Sequence, residues 1–186
     1  MTESSLNRMN QIVLLIILSA GTILPIKSNA QANEYLLKAG YIEKIIHFIE
    51  WPEIQNKNDS IFKINVFGDD KFYYALGEIF NKVNVKNKKV KIRTITNIEE
   101  LTESQLLFIP NIKTSELSKV LNYVKGKPIL TISDSEGFAE AGGFINFYEY
   151  ENKLRFEINQ KSMEDAGFTV DYRLLKVAKV LNPVAK

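Results

Sequence analysis

LLFIPNIKTSELSKVLNYVKGKPILTI, residues 106–132, decides the fold. LLFIP (106–110) is a short, continuous apolar run closed by a proline, the pattern of a parallel strand buried on both faces. From Thr114 to Val124, Leu117, Val120, Leu121 and Val124 recur at helical spacing and mark one apolar face. Gly126 stops that helix. PILTI (128–132) is a second buried strand. Two buried strands around an amphipathic helix argue for an α/β chain with a mainly parallel sheet.

The pattern extends in both directions. FKINVF (62–67) reads as a strand, GDD (68–70) as a turn, and about Lys71 to Lys82 as a helix. VKIRTI (90–95) alternates, as a half-exposed strand does. FINFYEY (144–150) and LRFEIN (154–159) flank Glu151-Asn152-Lys153 and read as a β-hairpin. A short helical segment near Lys161 to Ala166 and a last helix near Tyr172 to Leu181 close the chain. At the other end, NEYLLKAGYIEKIIHFIE (33–50) reads as a helix with Tyr35, Ala39, Ile42, Ile46 and Ile49 in one stripe. Glu43, His47 and Glu50 fall on its polar side, and Trp51 ends it, because the residue before a proline disfavours the α conformation. The expected architecture is a single-domain three-layer sandwich whose mainly parallel sheet ends in an antiparallel hairpin.

Composition narrows the function. A chain of 186 residues with 45% hydrophobic content can bury a core as one domain. It has no cysteine, which excludes disulfides, thiolate metal sites, cysteine nucleophiles and a lipid-modified N-terminal cysteine. His47 is the one histidine, so the usual general base and metal ligand is nearly absent. Arg8, the apolar run IVLLIILSAGTILPI and SNA (28–30) form a charged flank, an apolar centre and a small-residue cleavage site. Residues 1–30 read as a secretory signal peptide cut after Ala30, leaving residues 31–186 as the exported domain. Gly21 and Pro25 interrupt the run, which is shorter than the roughly 20 residues a membrane span needs. Export disfavours kinases, phosphoacceptors and NAD enzymes, whose reactants are scarce outside the cytoplasm.

Several clusters invite a chemical reading, and each has a structural one. Asp69 and Asp70 lie past a strand end, where acid pairs hold metals; helix N-capping explains them as well. A metal-dependent hydrolase would need Asp69, Asp70, Asp134 and Glu136 to converge. Glu43, His47 and Glu50 share a helix face and suit a weak metal site or a solvated surface. NKVNVKNKKVKIR (81–93) is basic without an aromatic residue; lysines that guard a sheet edge explain it better than nucleic-acid binding. SDSEGFAEAGGFINF (133–147) begins with the spacing of a capping box, serine followed three residues later by glutamate. No G-x-S-x-G elbow, P-loop or G-x-G-x-x-G is present. Trp51, Asp69, Asp70 and Asp134 are candidates for a small-ligand pocket at the strand ends. No metal or other cofactor is expected.

KAGYIEKIIHFIEWP (38–52), INVFGDD (64–70), ILTISDSEGFAEAGGFINF (129–147), LRFEIN (154–159), AGF (166–168) and LLKVAKV (174–180) together resemble the YfiR family of small exported bacterial proteins. The resemblance runs from about Tyr35 to Val180 and implies an α/β domain without catalytic activity. It implies a periplasmic repressor of an inner-membrane diguanylate cyclase of the YfiN type, bound through the cyclase's periplasmic sensor domain. A sensor histidine kinase is the alternative partner, with the chain then acting as a small-molecule sensor. An outer-membrane lipoprotein that sequesters the repressor, and a homodimer, are further implied partners. Redox control through cysteine, proposed for some relatives, cannot operate here. Alternation along the hairpin turns Leu154, Phe156 and Ile158 to the core and Arg155, Glu157 and Asn159 outward. Phe144, Glu157, Asn159 and Met163 are therefore expected to form a partner-contact patch.

Overall fold

The computed structural model describes residues 27–52 and 60–181. Most of the expected signal peptide lies outside the described residues. The chain divides into a unit of Met1–Asn33 and a unit of Glu34–Lys186. Of the first, the described part is the opening of helix α1 (Lys27–Ile46). The second holds the sheet and the helices that cover it.

Strands β2 (Ile61–Phe67), β3 (Lys89–Ile95), β4 (Leu106–Ile109) and β5 (Leu130–Ser133) run parallel, and β6 (Ile145–Tyr150) joins them in parallel with β5. β7 (Lys153–Asn159) turns back antiparallel to β6, and β9 (Lys179–Leu181) lies parallel to β7. Together they form a seven-stranded sheet in the order β3-β2-β4-β5-β6-β7-β9. The turn between β6 and β7 is the two residues Glu151 and Asn152, both at positive φ (52° and 56°), one residue shorter than the sequence suggests. That geometry matches the right-handed twist of the strands.

The pleat divides the core. Ile64, Val66, Phe108 and Ile132 meet helices α1 and α2 (Asp70–Phe80) on one face. Leu107, Ile109 and Ile95 meet α3 (Thr114–Val124) on the other, through Leu117, Val120 and Val124. Helices on both faces of one sheet make the three layers. Phe72 of α2 stacks on Phe108 with ring centroids 3.9 Å apart.

Two elements differ from the sequence reading. Helix α1 stops at Ile46, and Ile49–Glu50 become β1, antiparallel to β8 (Thr169–Val170). Ile49 is fully buried in this extended form, and β8 supplies its backbone partners, so the apolar stripe continues by another backbone geometry. The last helix is also shorter. After α4 (Gln160–Asp165), α5 spans only Tyr172–Leu175, and the expected helix gives way to a turn at 176–178 and then to strand β9. Short apolar stretches are readable as either element, and an open sheet edge took this one.

Candidate functional site

The chain passes from β2 through α2 to β3, then crosses back to β4 on the far side of β2. This is a switch point, and the crevice outside the carboxyl ends of such strands is where α/β sheets usually bind ligands. Here it is bridged by side chains. Asp69 caps α2, its Oδ1 accepting from Phe72 N at 3.0 Å, and its Oδ2 accepts from the Tyr35 hydroxyl at 2.8 Å. One turn further along α1, Lys38 Nζ lies 2.6 Å from Asp134 Oδ2, past β5, and 2.6 Å from Glu34 Oε1. Burial alone would push the Lys38 ammonium down; its bonds to Asp134 and Glu34 outweigh that and hold it above its ordinary value. Asp134 Oδ1 is buried and lacks a hydrogen-bond partner among the described residues.

The sequence-derived pocket therefore separates. Asp69 and Asp134 are engaged by α1, while Asp70 is exposed in the first turn of α2. Trp51 is at the other end of the sheet. Its Nε1 donates to Gln105 O, just before β4, at 2.9 Å, and its ring packs on Phe62 and Phe168. The seven residues of β2 span about 20 Å at roughly 3.3 Å each, too far for one small ligand to touch both ends.

SDSEGFAEAGGFINF forms a run of turns rather than a capped helical turn. Ser133 Oγ accepts from Ser135 N, two residues on, at 3.0 Å. Residues 135–142 form turns and no helix, so this bond closes a local turn and caps nothing. Gly137 (φ 72°) and Gly142 (φ 102°) bend the chain, and Gly143 lies against the ring of Phe138, where a Cβ would come within 2.2 Å. Phe138, fully buried, anchors the turn in the α3-side core.

This anchoring overturns the exposure expected for the second face of the hairpin. Phe144, Glu157, Asn159 and Met163 are all buried, so they form no surface patch in this conformation. The turn folds back over the second face of its own hairpin. Asn159 Nδ2 donates to Ala139 O at 2.7 Å, and Asn159 Oδ1 caps α4 by accepting from Ser162 N. Glu157 accepts from Asn146 Nδ2 at 3.3 Å and pairs with Lys179 of β9 at 2.9 Å. That pairing holds the Lys179 ammonium above its ordinary value. Phe144 stacks edge-on against Phe168, and Met163 is sealed in the main core.

A cleft of about 390 Å³ lies beside Phe144, walled by Val124, Lys125, Thr131, Gly142 and Asp165. Its walls come from α3, β5, the glycine turn and α4, segments no local pattern connects. Glu43 and His47 do meet, at 3.1 Å, but Glu50 belongs to β1 and pairs with Lys86. Burial would push the Glu43 carboxyl up; hydrogen bonds from Lys44 and His47 overcome this and hold it below its ordinary value. No group of three or more histidine, aspartate or glutamate residues suited to a metal occurs among the described residues. No helix among them is long and apolar enough to cross a membrane.

A family model described as YfiR/HmsC-like matches residues 35–179. The chain belongs to this family. Its limits enclose both the Lys38 and the Asp134 segments, together with the hairpin and its turn. YfiR-like proteins form a periplasmic, regulatory family without catalytic activity. No curated protein matches. Among solved structures, a conserved domain protein from Vibrio cholerae O1 biovar El Tor matches 78% of this chain at 12% identity and a TM-score of 0.50. At that identity the likeness shows the fold alone. A structure described as the ABC domain in complex with L-Trp from Streptococcus pneumonia matches 74% at 14% identity and a TM-score of 0.49, and carries no argument. The chain covers 59% and 60% of those two solved chains.

Proposed function

We propose that the chain is an exported, non-catalytic regulator that binds the periplasmic sensor domain of an inner-membrane diguanylate cyclase of the YfiN type and holds it inactive. The family match over residues 35–179 carries this reading. Export follows from the signal peptide expected to be cleaved near Ala30. An outer-membrane lipoprotein that sequesters the regulator, and a second copy of the chain, belong to the same reading as further partners. Phe144, Glu157, Asn159 and Met163 enter it as framework that fixes the hairpin and its turn behind the partner surface. The test is deletion of the gene with measurement of cyclic di-GMP, alongside co-purification with the neighbouring membrane enzyme's periplasmic domain. A rise on deletion and a stable complex are expected. No change in cyclic di-GMP, with the cyclase intact, would sink cyclase repression.

The cleft beside Phe144 favours a second reading, a periplasmic small-molecule sensor acting with a sensor histidine kinase. It predicts saturable binding of a metabolite to the purified protein. A thermal-shift screen of amino acids, nucleotides and cofactors tests it, because a ligand that binds the native state raises its stability. A screen without any stabilisation counts against this reading and leaves the first untouched.

A further inference from the structure

Strand β3 lies at one end of the sheet, and among the described residues no strand pairs with its outer side. Which of its backbone groups face outward follows from two bonds. Lys89 N donates to Ser60 O at the start of the strand, and Ile95 O accepts from Gly68 N at its end. In a parallel ladder, alternate residues bond to the same neighbour. Residues 89, 91, 93 and 95 therefore bond inward to β2, and the N–H and C=O groups of Val90, Ile92 and Thr94 point outward from the sheet. These are the groups to which an added strand would bond.

The side chains specify what such a strand must carry. Lys89, Lys91 and Arg93 are exposed on the face of β3 away from α2. Arg93 is held by Glu100, and neighbouring Lys63 of β2 by Glu103. Lys89 and Lys91 have no ion pair among the described residues. On the other face, Val90 and Ile92 form the floor of a groove of about 230 Å³ with Tyr73, Tyr74 and Phe80 of α2. Tyr74 is 69% exposed, the most exposed of the chain's large hydrophobic side chains among the described residues. Glu78 and Asn81 supply polar parts of the same wall.

We infer that the outer edge of β3 is a docking site for an extended segment of another protein, carrying acidic side chains at alternate positions and apolar or aromatic ones between them. Added to β3, such a segment places its acids against Lys89 and Lys91 and its apolar residues in the Tyr74 groove, because successive residues of a strand face opposite ways. Main-chain bonds supply affinity and the alternating side chains supply choice of partner, as in strand addition generally. The lysines set the specificity in both directions. They repel a second copy of this edge, whose lysines would face them, and they attract an acidic strand. Docking of this kind does not depend on which membrane enzyme the chain regulates.

The test uses the purified chain and a labelled eight-residue peptide alternating glutamate with valine and tyrosine, at low ionic strength. Saturable binding is expected, together with new amide-exchange protection at Val90, Ile92 and Thr94. Lys89, Lys91 and Arg93, already bonded to β2, should show no such gain. Lys89→Glu with Lys91→Glu should weaken binding at least tenfold. Should that variant not fold, replacing the peptide's glutamates with lysine on the unaltered protein probes the same charge contact. N-methylation of the peptide amides that face β3 should abolish binding, and N-methylation of the alternate amides should not. Absence of binding at millimolar peptide, or protection elsewhere than at the three outer residues, would overturn the proposal. So would equal affinity after charge reversal of protein or peptide. Concentration-dependent protection of the same amides without peptide would assign the edge to self-association and overturn the acidic partner.

Discussion

Lys38 Nζ and Asp134 Oδ2 lie 2.6 Å apart, and 96 residues of chain separate them. The pair joins helix α1 to the start of the glycine turn, on a lysine whose side chain is only 6% exposed. Removing one partner of a buried pair leaves the other charge uncompensated and costs about 3–5 kcal/mol, whereas replacing both with apolar residues is often neutral. Lys38→Met should lower stability to urea by about 3 kcal/mol. Lys38→Met combined with Asp134→Leu should recover most of the loss. Additive losses in the double variant would mean that the pair does not act as a unit.

The same pair sets a limit at high pH. Lys38 has a folded-state value above its unfolded one, because its bonds to Asp134 and Glu34 outweigh the burial that opposes them. A raised ammonium contributes stability that is fully present below the unfolded value of about 10.4 and is lost as pH rises through the folded value. Urea midpoints from neutral pH upward should therefore fall more steeply in the unaltered protein than in the Lys38→Met, Asp134→Leu variant. Parallel curves would rule Lys38 out as the cause.

Gly143 has no room for a side chain, since a Cβ there would sit 2.2 Å from the Phe138 ring. Gly143→Ala should cost about 1–3 kcal/mol, the usual penalty for overpacking. Adding Phe138→Leu, which shortens the obstructing side chain, should give part of that back. Full stability of Gly143→Ala alone would show that the turn relaxes around the ring.

Glu151 holds φ 52° in a two-residue hairpin turn, a conformation that costs a non-glycine residue roughly 1–2 kcal/mol. Glu151→Gly should raise thermal stability, the gain reduced by the greater freedom of glycine in the unfolded chain. A lower melting temperature would argue against this turn geometry.

Met163 is completely buried, so Met163→Ala should destabilise by about 2–5 kcal/mol through the cavity it leaves. Arg155 is exposed on the hairpin, and Arg155→Ala should change stability by about 0.5 kcal/mol or less. If Met163 acts as framework, its effect on cyclic di-GMP should track the loss of folded protein and be suppressed at lower temperature. Loss of regulation by a fully folded Met163→Ala protein would restore direct contact.

Much of the fold was legible because its periodicities are strong. Leu106–Ile109 and Thr114–Val124 were read within a residue, since a wholly apolar strand and a clean helical stripe have few other solutions. The cap at Asp69 was legible for a similar reason, being local chemistry. The ends of α1 and α5 were not. There the choice between helix and strand rested on pairing with β8 and β7, which no short window contains. The contact patch failed in the same way. Alternation correctly put Glu157 and Asn159 on the face away from Phe156 and Ile158, but nothing local shows that the glycine turn closes over that face.

The sequence by itself determined the layers, the parallel sheet, the hairpin and the family, because each is written in spacings a few residues long or in the order of short motifs. Only the tertiary structure decided which side chains of those motifs are paired, buried or exposed. It paired Lys38 with Asp134, separated Trp51 from the aspartates by the length of the sheet, buried the expected contact residues, and, among the described residues, left the outer edge of β3 without a paired strand. Exposure and charge pairing depend on which distant segments meet, and that is a property of the packed chain.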